Sequence, residues 1–422
     1  MRKLSLTALT LGSSLMLATL GCSSGGDDGK DKDGTGSTDS QELEVFSWWK
    51  APGEAEALEA LVTAYEDEFP DARVSLYDNT SADTWQEVLA AQISESPWDV
   101  FQMSASDIEN FTADHPGDVL PVDEIYEDEE LADAVIPEIL EGVKVDGVPH
   151  GVVTGVHRNN SFLFNMNVLG PRDIEPPQTI EELLAACEAL KADGVTPVAT
   201  TFQSWALRIM FDEILAGTMG AQGFYDFVKS GEVPSDETTI EQITSAVDTF
   251  DLILTEYVDV EKSKGADYGW DAAAKELQGD DGMAMMFHGD WAKGYLVSLG
   301  NKPGVDFGVS GPPGAFDLFV YGADMFGLPA TAPNPENALA FLKIVASKEG
   351  QVAFNLQKGS TPMRTDVADD LDEPGQVALD NLINAKVLMK GHPNADWDAA
   401  FEAYSMDGDK AALLEVYLTA TP

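Results

Sequence analysis

The sequence predicts an α/β protein built of two lobes, and three observations lead to this fold class. Short apolar segments typical of strands alternate with segments of helical periodicity, which favours a mainly parallel sheet. After an N-terminal export segment and a polar stretch, roughly 380 residues remain, which is more than one hydrophobic core usually serves. These remaining residues contain no stretch that is long and apolar enough to span a bilayer.

The alternation of strands and helices is clearest directly after the polar stretch. In the first predicted helix, Leu58, Leu61 and Tyr65 repeat at helical spacing, and Pro70 ends the pattern. The predicted order is a strand at 43–49, a helix at 54–69, a strand at 72–77, a helix at 82–96 and a strand at 98–103.

Further along the chain, the pattern predicts two crossings between the lobes. A turn enters a strand at 148–153, where we place the first crossing, and helices beginning at Gln178, Trp205 and Thr239 build a more helical second lobe. Strands at 307–310 and 318–321 are predicted to return to the first lobe, and a helix at 335–355 to span the next crossing. The expected N-terminal lobe therefore comprises residues 42–153 and 304–349, and the expected C-terminal lobe residues 154–303 and 350–422.

Residues 1–22 resemble a bacterial lipoprotein signal peptide. A short basic start is followed by an apolar run that is too short for a spanning helix, as in a secretory signal. Cys22 matches the cysteine that carries the lipid and becomes the new N-terminus, although Thr19 stands where leucine is usual; ordinary cleavage without lipid is the alternative. Residues 23–41 contain no apolar residue that could seed a core, so we expect a disordered tether.

The composition is strongly acidic. The 74 acidic and 24 basic residues give a formal net charge of -50, which argues against nucleic acids and anionic membrane surfaces as partners. The acidic residues are spread through segments that can fold, so we interpret them as a solvated surface, with adaptation to salt as an open alternative. Metal storage is a weaker alternative, because Asp27, Asp28 and Gly29 lack the downstream ligands of a calcium loop.

The cysteines and histidines predict neither a disulfide framework nor a metal site. Besides Cys22 the chain has only Cys187, which lies in a helical pattern where a small buried residue is expected. The 5 histidines are scattered without the spacing of metal ligands. We therefore expect no metal and no other cofactor.

Aromatic and polar side chains meet at the predicted ends of strands, where ligands bind in open α/β sheets. Trp48 and Trp49 end the first strand, Glu54 follows the next loop, and Gln102 is a polar residue in an apolar strand. Sugar rings offer C–H faces to aromatic side chains and hydroxyls to carboxylates and amides, so these residues suit a sugar. A core position for a tryptophan, or an exposed helix start for Glu54, is the alternative.

An ordered series of segments resembles the solute-binding proteins of ABC importers for sugars, and most of all the bacterial glucose/mannose-binding proteins. The series is VFSWWKAPGEAEALEALVTAYEDEFP, PWDVFQMSAS, GVVTGVHRNN, MFHGDWAKGY, FGLPATAPNPENALAFLKIVASKEGQ and LQKGSTPMRTD, and it covers nearly the whole chain from Leu43. The resemblance implies a periplasmic-binding-protein-like fold, in which hinge strands join two α/β lobes and the ligand lies in the cleft between them.

The resemblance also implies the ligand-binding residues, position by position. Ser104 stands where the family has a histidine, Arg158 and Asn159 are structural neighbours of the implied site, and Asp290 and Trp291 are expected to be partly structural. For one late position, Lys390 is the unshifted match and His392 the match after a small shift, and both stay open. The implied set is Trp48, Trp49, Glu54, Gln102, Ser104, His157, Trp205, Trp270, Asp324, Lys358 and His392.

From this resemblance we expect an extracytoplasmic receptor, in the periplasm or cell envelope, that delivers a monosaccharide such as glucose or mannose to an ABC permease. We expect a monomer that has no enzymatic activity and meets the membrane only through the lipid on Cys22. A secreted glycoside hydrolase is the alternative, because acids and tryptophans also line such sites, but hydrolysis needs two carboxyls at a defined separation. A purely structural lipoprotein does not account for the polar set.

Overall fold

The structure is a computed structural model that describes residues 42–77, 84–127, 129–392 and 394–422. The predicted signal peptide, Cys22 and the predicted tether lie outside the described residues. In the described part of the chain, none of the helices combines the length and the apolar character that a membrane crossing requires.

Twelve strands are present among the described residues. They are β1 (Glu42–Phe46), β2 (Arg73–Tyr77), β3 (Val100–Ser104), β4 (Val119–Leu120), β5 (Lys144–Val145), β6 (Val148–Pro149), β7 (Val152–Arg158), β8 (Ser161–Asn165), β9 (Met285–His288), β10 (Phe307–Ser310), β11 (Leu318–Pro329) and β12 (Val387–Lys390).

The described residues also form nineteen α-helices and two short 3-10 helices, Gly170–Arg172 and Thr365–Asp370. The α-helices are α1 (Glu54–Glu68), α2 (Trp85–Gln92), α3 (Ile108–Asp114), α4 (Asp123–Tyr126), α5 (Glu129–Ala134), α6 (Pro137–Glu141), α7 (Met166–Leu169), α8 (Ile180–Ala192), α9 (Ser204–Met219), α10 (Ala221–Ser230), α11 (Glu237–Glu256), α12 (Val260–Ser263), α13 (Trp270–Lys275), α14 (Trp291–Ser298), α15 (Pro335–Ala346), α16 (Lys348–Lys358), α17 (Glu373–Ile383), α18 (Ala395–Asp407) and α19 (Lys410–Thr419).

The main sheet organises the N-terminal lobe and reaches toward the second lobe. Its central order is β12-β11-β3-β1-β2, and β4 and β7 pair with β11. β1 runs parallel to β2 and to β3, as the βαβ pattern predicts, whereas β11 runs antiparallel to both β3 and β7. A separate sheet of order β10-β8-β9 lies in the C-terminal lobe. The prediction of a mainly parallel α/β lobe is therefore right for β1 to β3, and the returning strand is antiparallel.

Two groups of apolar side chains define the lobes. The N-terminal core joins residues of β1, β3, α1 and α15, and the C-terminal core joins residues of β8, α9, α11 and α18, with Cys187 fully buried in it. Along β11, Leu318 and Val320 belong to the C-terminal core, whereas Phe319 and Tyr321 belong to the N-terminal one. Because side chains of a strand alternate between two faces, the first half of β11 is a wall shared by both lobes.

The structure changes two of the expected lobe assignments and divides one predicted helix. β10 pairs antiparallel with β8 in the C-terminal lobe and does not return to the first lobe. The single helix predicted at 335–355 is two helices, because Ser347 adopts an extended conformation and its hydroxyl accepts a hydrogen bond from the Gly350 amide. Phe354, after that break, lies in the N-terminal core, as do Met363 and Leu382, so this part of residues 350–422 packs with the first lobe.

Candidate ligand-binding site

The loop after β1 begins the candidate site on the N-terminal lobe. β1 ends at Phe46, so Trp48 and Trp49 follow the strand instead of ending it. Trp48 is half-buried and stacks on Trp85, with ring centroids 5.0 Å apart. Trp49 is only 2% exposed and packs against Phe354 at 5.0 Å, so the structure places it in the hydrophobic core.

Gln102 is fully buried on β3 and holds this loop in place. Its side-chain oxygen accepts hydrogen bonds from the Ser47 hydroxyl at 2.5 Å and from the Trp48 backbone amide at 3.1 Å. Within the described chain, the amide nitrogen of Gln102 has no hydrogen-bond partner. Buried polar groups are seldom left unpaired, so this donor can serve a ligand at the end of β3.

Glu54 and Lys358 form an ion pair at the meeting point of two helix ends. Glu54 begins α1 and Lys358 ends α16, and their charges oppose the helix dipoles favourably. The Lys358 Nζ lies 2.5 Å from a Glu54 carboxylate oxygen and 5.5 Å from the ring centre of Trp49. The side chain of Lys358 is 4% exposed and that of Glu54 17%, so Glu54 is the partner more open to a ligand.

His157, on β7, bridges two carboxylates from different parts of the chain. Its Nδ1 lies 2.8 Å from Asp290, which precedes α14, and its Nε2 lies 3.2 Å from Asp324 on β11. Burial opposes the charged imidazolium, but the two carboxylates outweigh it and raise the pKa of His157 to about 9. His157 is therefore a cation at neutral pH, and it fixes the orientation of Asp324.

Ser104 lies beside this pair, because β3 and β11 are in register there. Ser104 is the direct neighbour of Asp324 across the strands, and its hydroxyl is 2.9 Å from that of Ser106. The sequence expectation puts Ser104 where the family has a histidine, and a serine reaches less far into the site.

An aromatic cluster faces this polar group from the C-terminal lobe. The Trp291 indole NH donates to Nε2 of His288 at 3.0 Å, and Trp270 stacks on His288 at 5.9 Å. Trp205 lies 6.2 Å from Trp291, and Trp291 in turn meets His157 edge-on at 5.6 Å. Burial lowers the pKa of His288 to about 3, so it is neutral and accepts the indole hydrogen bond. We call these four residues, Trp205, Trp270, His288 and Trp291, the aromatic cluster.

His288 belongs to the aromatic cluster, but it is absent from the set of ligand-binding residues that the resemblance implies. Its signal lies in the HGDW segment, where the histidine ends β9 two residues before Asp290. Asp290 stands at the N-cap position of α14, but its carboxylate bonds to His157 and the Arg158 amide and makes no capping hydrogen bond. A histidine at a strand end next to two implied site residues is a candidate by position, because strand ends form ligand sites in α/β folds.

β7 and β11, the paired strands that run between the two cores, are the hinge strands. A cavity of about 230 Å³ lies beside them, next to Trp205. We call it the hinge cavity. Ser106, which follows β3 of the N-terminal lobe, lines it together with Leu318 and Val320, whose side chains belong to the C-terminal core, so it sits where the two lobes meet. Its polar lining comprises Ser106, Asn159, Asn160, Arg208, Asp212, His392 and Asp398.

The structure separates the two residues that the resemblance leaves open. His392 lines the hinge cavity together with Trp205. Lys390 instead lines a smaller cavity with Ser104, and its Nζ approaches the backbone carbonyl oxygens of Gly142 at 3.3 Å and Ala105 at 3.5 Å. Burial lowers the pKa of Lys390. His392 is thus the residue of the two that shares a cavity with a member of the aromatic cluster.

Fold and site together define a binding protein of two α/β lobes, with polar and aromatic side chains gathered at the strands that connect the lobes. The chain belongs to the family of bacterial extracellular solute-binding proteins, whose family model matches residues 60–385. The expected periplasmic-binding-protein-like fold is confirmed.

Relatives and solved structures agree with this family. The chain is 30% identical over 371 residues to a probable sugar-binding periplasmic protein of Rhizobium meliloti. The aligned region covers 84% of this chain and 86% of the relative. A xylose/arabinose-binding protein of Haloferax volcanii is 24% identical over 343 residues, covering 78% of this chain and 71% of the relative. The fold is similar to that of a chitin oligosaccharide binding protein, with a TM-score of 0.73, 20% identity, and 90% of this chain and 98% of the other covered.

Proposed function

We propose that this protein is an extracytoplasmic sugar receptor that delivers its ligand to an ABC import permease. The carrying observation is that one short stretch of the hinge strands places His157 and Asp324 against the aromatic cluster. Charged hydrogen-bonding groups orient sugar hydroxyls, and aromatic faces cover the C–H face of a ring. Relatives that are described as sugar-binding periplasmic proteins support the same ligand class.

The ligand that we propose for this aromatic and polar site is a monosaccharide of the glucose or mannose type. Asp324 is held by His157 and keeps a side chain that is 16% exposed, so it is the acceptor that a sugar hydroxyl meets. Glu54 offers a second carboxylate from the N-terminal end of α1, and Trp270 offers a half-buried aromatic face. A small neutral ring with several hydroxyls can use charged acceptors together with an aromatic face.

The proposed receptor does not change its ligand chemically. Hydrolysis of a glycoside requires one carboxyl that donates a proton and a second that acts as base or nucleophile. Asp290 and Asp324 instead both bond to the ring of His157, one to each ring nitrogen. We expect purified protein to return maltose and aryl glucosides uncleaved after prolonged incubation, and cleavage that is lost in Asp324→Ala would establish the hydrolase instead.

Calorimetric titration with glucose and mannose tests the binding site. Asp324→Ala removes a charged acceptor, and hydrogen bonds to charged groups are worth about 1.5–3 kcal/mol, so sugar affinity should fall about tenfold or more. Trp270→Ala should weaken binding comparably through lost stacking area. Asp114→Ala, which removes an exposed carboxylate of α3, is the matched control. Unchanged affinity in folded Asp324→Ala and Trp270→Ala would refute the site, and absence of sugar binding in the wild type would refute the function.

We further propose that the receptor acts as a monomer that is held at the membrane by a lipid on Cys22. The proposed anchor explains how a receptor stays near its permease, since lipid chains hold proteins at a bilayer. Size-exclusion chromatography with light scattering of the protein without its first 22 residues should give the mass of one chain.

A further inference from the structure

The two lobes meet backbone to backbone where α14 packs against the C-terminal end of α16. A Cβ atom added at Gly294 of α14 would lie 2.4 Å from the backbone carbonyl oxygen of Lys358, and one added at Gly359 would lie 2.7 Å from the Cα of Gly294. Ordinary van der Waals contact begins at roughly 3.5 Å, so each distance is about 1 Å too short for a side chain. The two main chains can approach this closely only because both positions are glycine.

Each side of this contact is fixed in a different hydrophobic core. Along α14, Ala292 and Leu296 pack in an apolar cluster with residues of β8, β9 and β10, the sheet of the C-terminal lobe. Phe354 of α16 lies in the N-terminal core. Because close-packed cores do not deform readily, an atom added at this contact would move the lobes relative to each other instead of moving one helix within its lobe.

Both sides of the contact also carry groups of the candidate ligand-binding site. Gly294 lies one helical turn after Asp290 and Trp291, and its amide donates to the carbonyl oxygen of Asp290 at 3.3 Å. On the other side, Lys358 turns its carbonyl oxygen toward Gly294 and donates from its Nζ to Glu54. The contact therefore sets the distance between the Glu54–Lys358 ion pair of the N-terminal lobe and the aromatic cluster of the C-terminal lobe.

We propose that Gly294 and Gly359 are positioning residues, which hold the two halves of the site at the separation where one sugar ring contacts both. This inference rests on the proposed sugar-receptor function and adds residues outside the implied ligand-binding set. The contact lies beside a hinge strand, because Thr361, two residues after Gly359, exchanges backbone hydrogen bonds of 2.7 and 2.8 Å with Val156 of β7. A shift at this contact is therefore passed directly to the hinge.

Gly294 separates the proposed role from the ordinary demands on a glycine. Gly359 has a φ of 73° at the end of α16, a left-handed conformation that favours glycine by itself. Gly294 lies inside α14, where alanine is a better helix former than glycine. Weaker sugar binding in Gly294→Ala would thus report the contact between the lobes and not a weakened helix.

Calorimetric titration of the full-length protein with glucose and mannose is the first test. Gly294→Ala should bind the sugar about tenfold more weakly than wild type, because binding groups displaced by about 1 Å lose their complementarity to the ligand. Gly223→Ala, an exposed glycine within α10, is the matched control and should leave the affinity unchanged. The Cβ atom that this control adds lies 3.4 Å from the Cβ of Met219, which is an ordinary contact.

The second test measures the separation of the lobes without relying on a ligand. Spin labels are attached to Asp114→Cys on α3 and Glu402→Cys on α18, two exposed positions on different lobes, in the full-length chain with Cys22→Ser. Cys187 is fully buried and stays unlabelled. Pulsed electron paramagnetic resonance should give a different mean distance between the labels in Gly294→Ala than in wild type, and the control glycine variant should match wild type.

The outcomes separate the positioning role from the function on which it rests. If wild type binds a sugar and folded Gly294→Ala keeps its affinity, the positioning role is wrong and the receptor function stands. A lower unfolding free energy of Gly294→Ala with an unchanged distance between the labels would show a purely structural glycine and also refute the role. If wild type binds neither sugar, the proposed function fails, and the distance between the labels alone decides whether the glycine contact sets the separation of the lobes.

Discussion

The stability of this protein should depend on the protonation of His157 between pH 6.5 and pH 9. In the folded chain Asp290 and Asp324 overcome burial and raise the pKa of His157 from 6.5 to about 9. The folded state therefore holds this proton more tightly than the unfolded state, and stability falls as the pH rises through the interval. The difference of about 2.5 pH units corresponds to about 3 kcal/mol, fully present below pH 6.5 and lost above pH 9.

The measurement is urea denaturation of wild type and His157→Gln at pH 6, 7, 8, 9 and 9.5. Glutamine can keep a hydrogen bond to one carboxylate but cannot carry the charge, so the difference in unfolding free energy between the two proteins should shrink as the pH rises. Comparing two proteins at each pH cancels the effect of the other ionisable groups. His150→Gln is the control, because the His150 ring contacts no carboxylate among the described residues and its Nδ1 lies 2.9 Å from the Val148 carbonyl oxygen. A difference that stays constant or grows up to pH 9.5 would refute the charged bridge.

Three further predictions concern the whole molecule. Because the net charge is -50, NaCl or KCl added from 0.1 to 1 M should raise the melting temperature equally, by about 1 °C per kcal/mol of repulsion screened, and a flat or falling curve would contradict this. Two lobes joined by hinge strands should close on a ligand, so small-angle scattering should give a smaller radius of gyration with saturating glucose or mannose; an unchanged radius in the bound protein would count against closure. Cys22→Ser should release the protein from membranes, and unchanged partitioning would show that Cys22 carries no anchor.

The N-terminal lobe could be predicted closely from the sequence because its signals are local. The helix predicted at 54–69 is Glu54–Glu68, and the strand predicted at 72–77 is Arg73–Tyr77. Helical periodicity and Pro70 set these bounds without help from the rest of the chain.

The lobe boundaries could not be predicted in the same way, because they depend on which surfaces meet. Phe307–Ser310 has an ordinary strand pattern, and its pairing with β8 is set by tertiary packing. The helical periodicity of residues 335–355 continues across Ser347, and the break is seen only in the structure, in the extended backbone of Ser347 and its capping hydrogen bond from Gly350. With that break, α16 packs along α1 and brings Lys358 to Glu54.

The candidate site likewise contains residues that could be predicted from the sequence and residues whose positions depend on tertiary packing. The resemblance implied His157, Asp324, Trp205 and Trp270 by position, and the structure brings these residues to the hinge strands and the aromatic cluster. The resemblance could not predict the position of Trp49. β1 ends three residues before Trp49, and the ring of Trp49 packs in the hydrophobic core. Arg208 and Asp212 had a signal in their helical spacing from Trp205, but partners such as Asp398 come from a distant helix.

The location of the charged bridge connects ligand binding with movement of the lobes. His157 lies on β7 and Asp324 on β11, two paired strands that run between the cores, whereas Asp290 precedes α14 of the C-terminal lobe. A ligand hydroxyl that bonds to Asp324 would compete with His157 for the same carboxylate and would change how tightly Asp290 is held across the imidazole. A ligand shifts the equilibrium between open and closed lobes only if it interacts differently with the two states. A sugar that bonds to Asp324 would do so at the hinge itself, because the bridge through His157 joins Asp324 to Asp290. Closure in His157→Gln should then require more sugar than in wild type, even after correction for any loss of affinity in the open form.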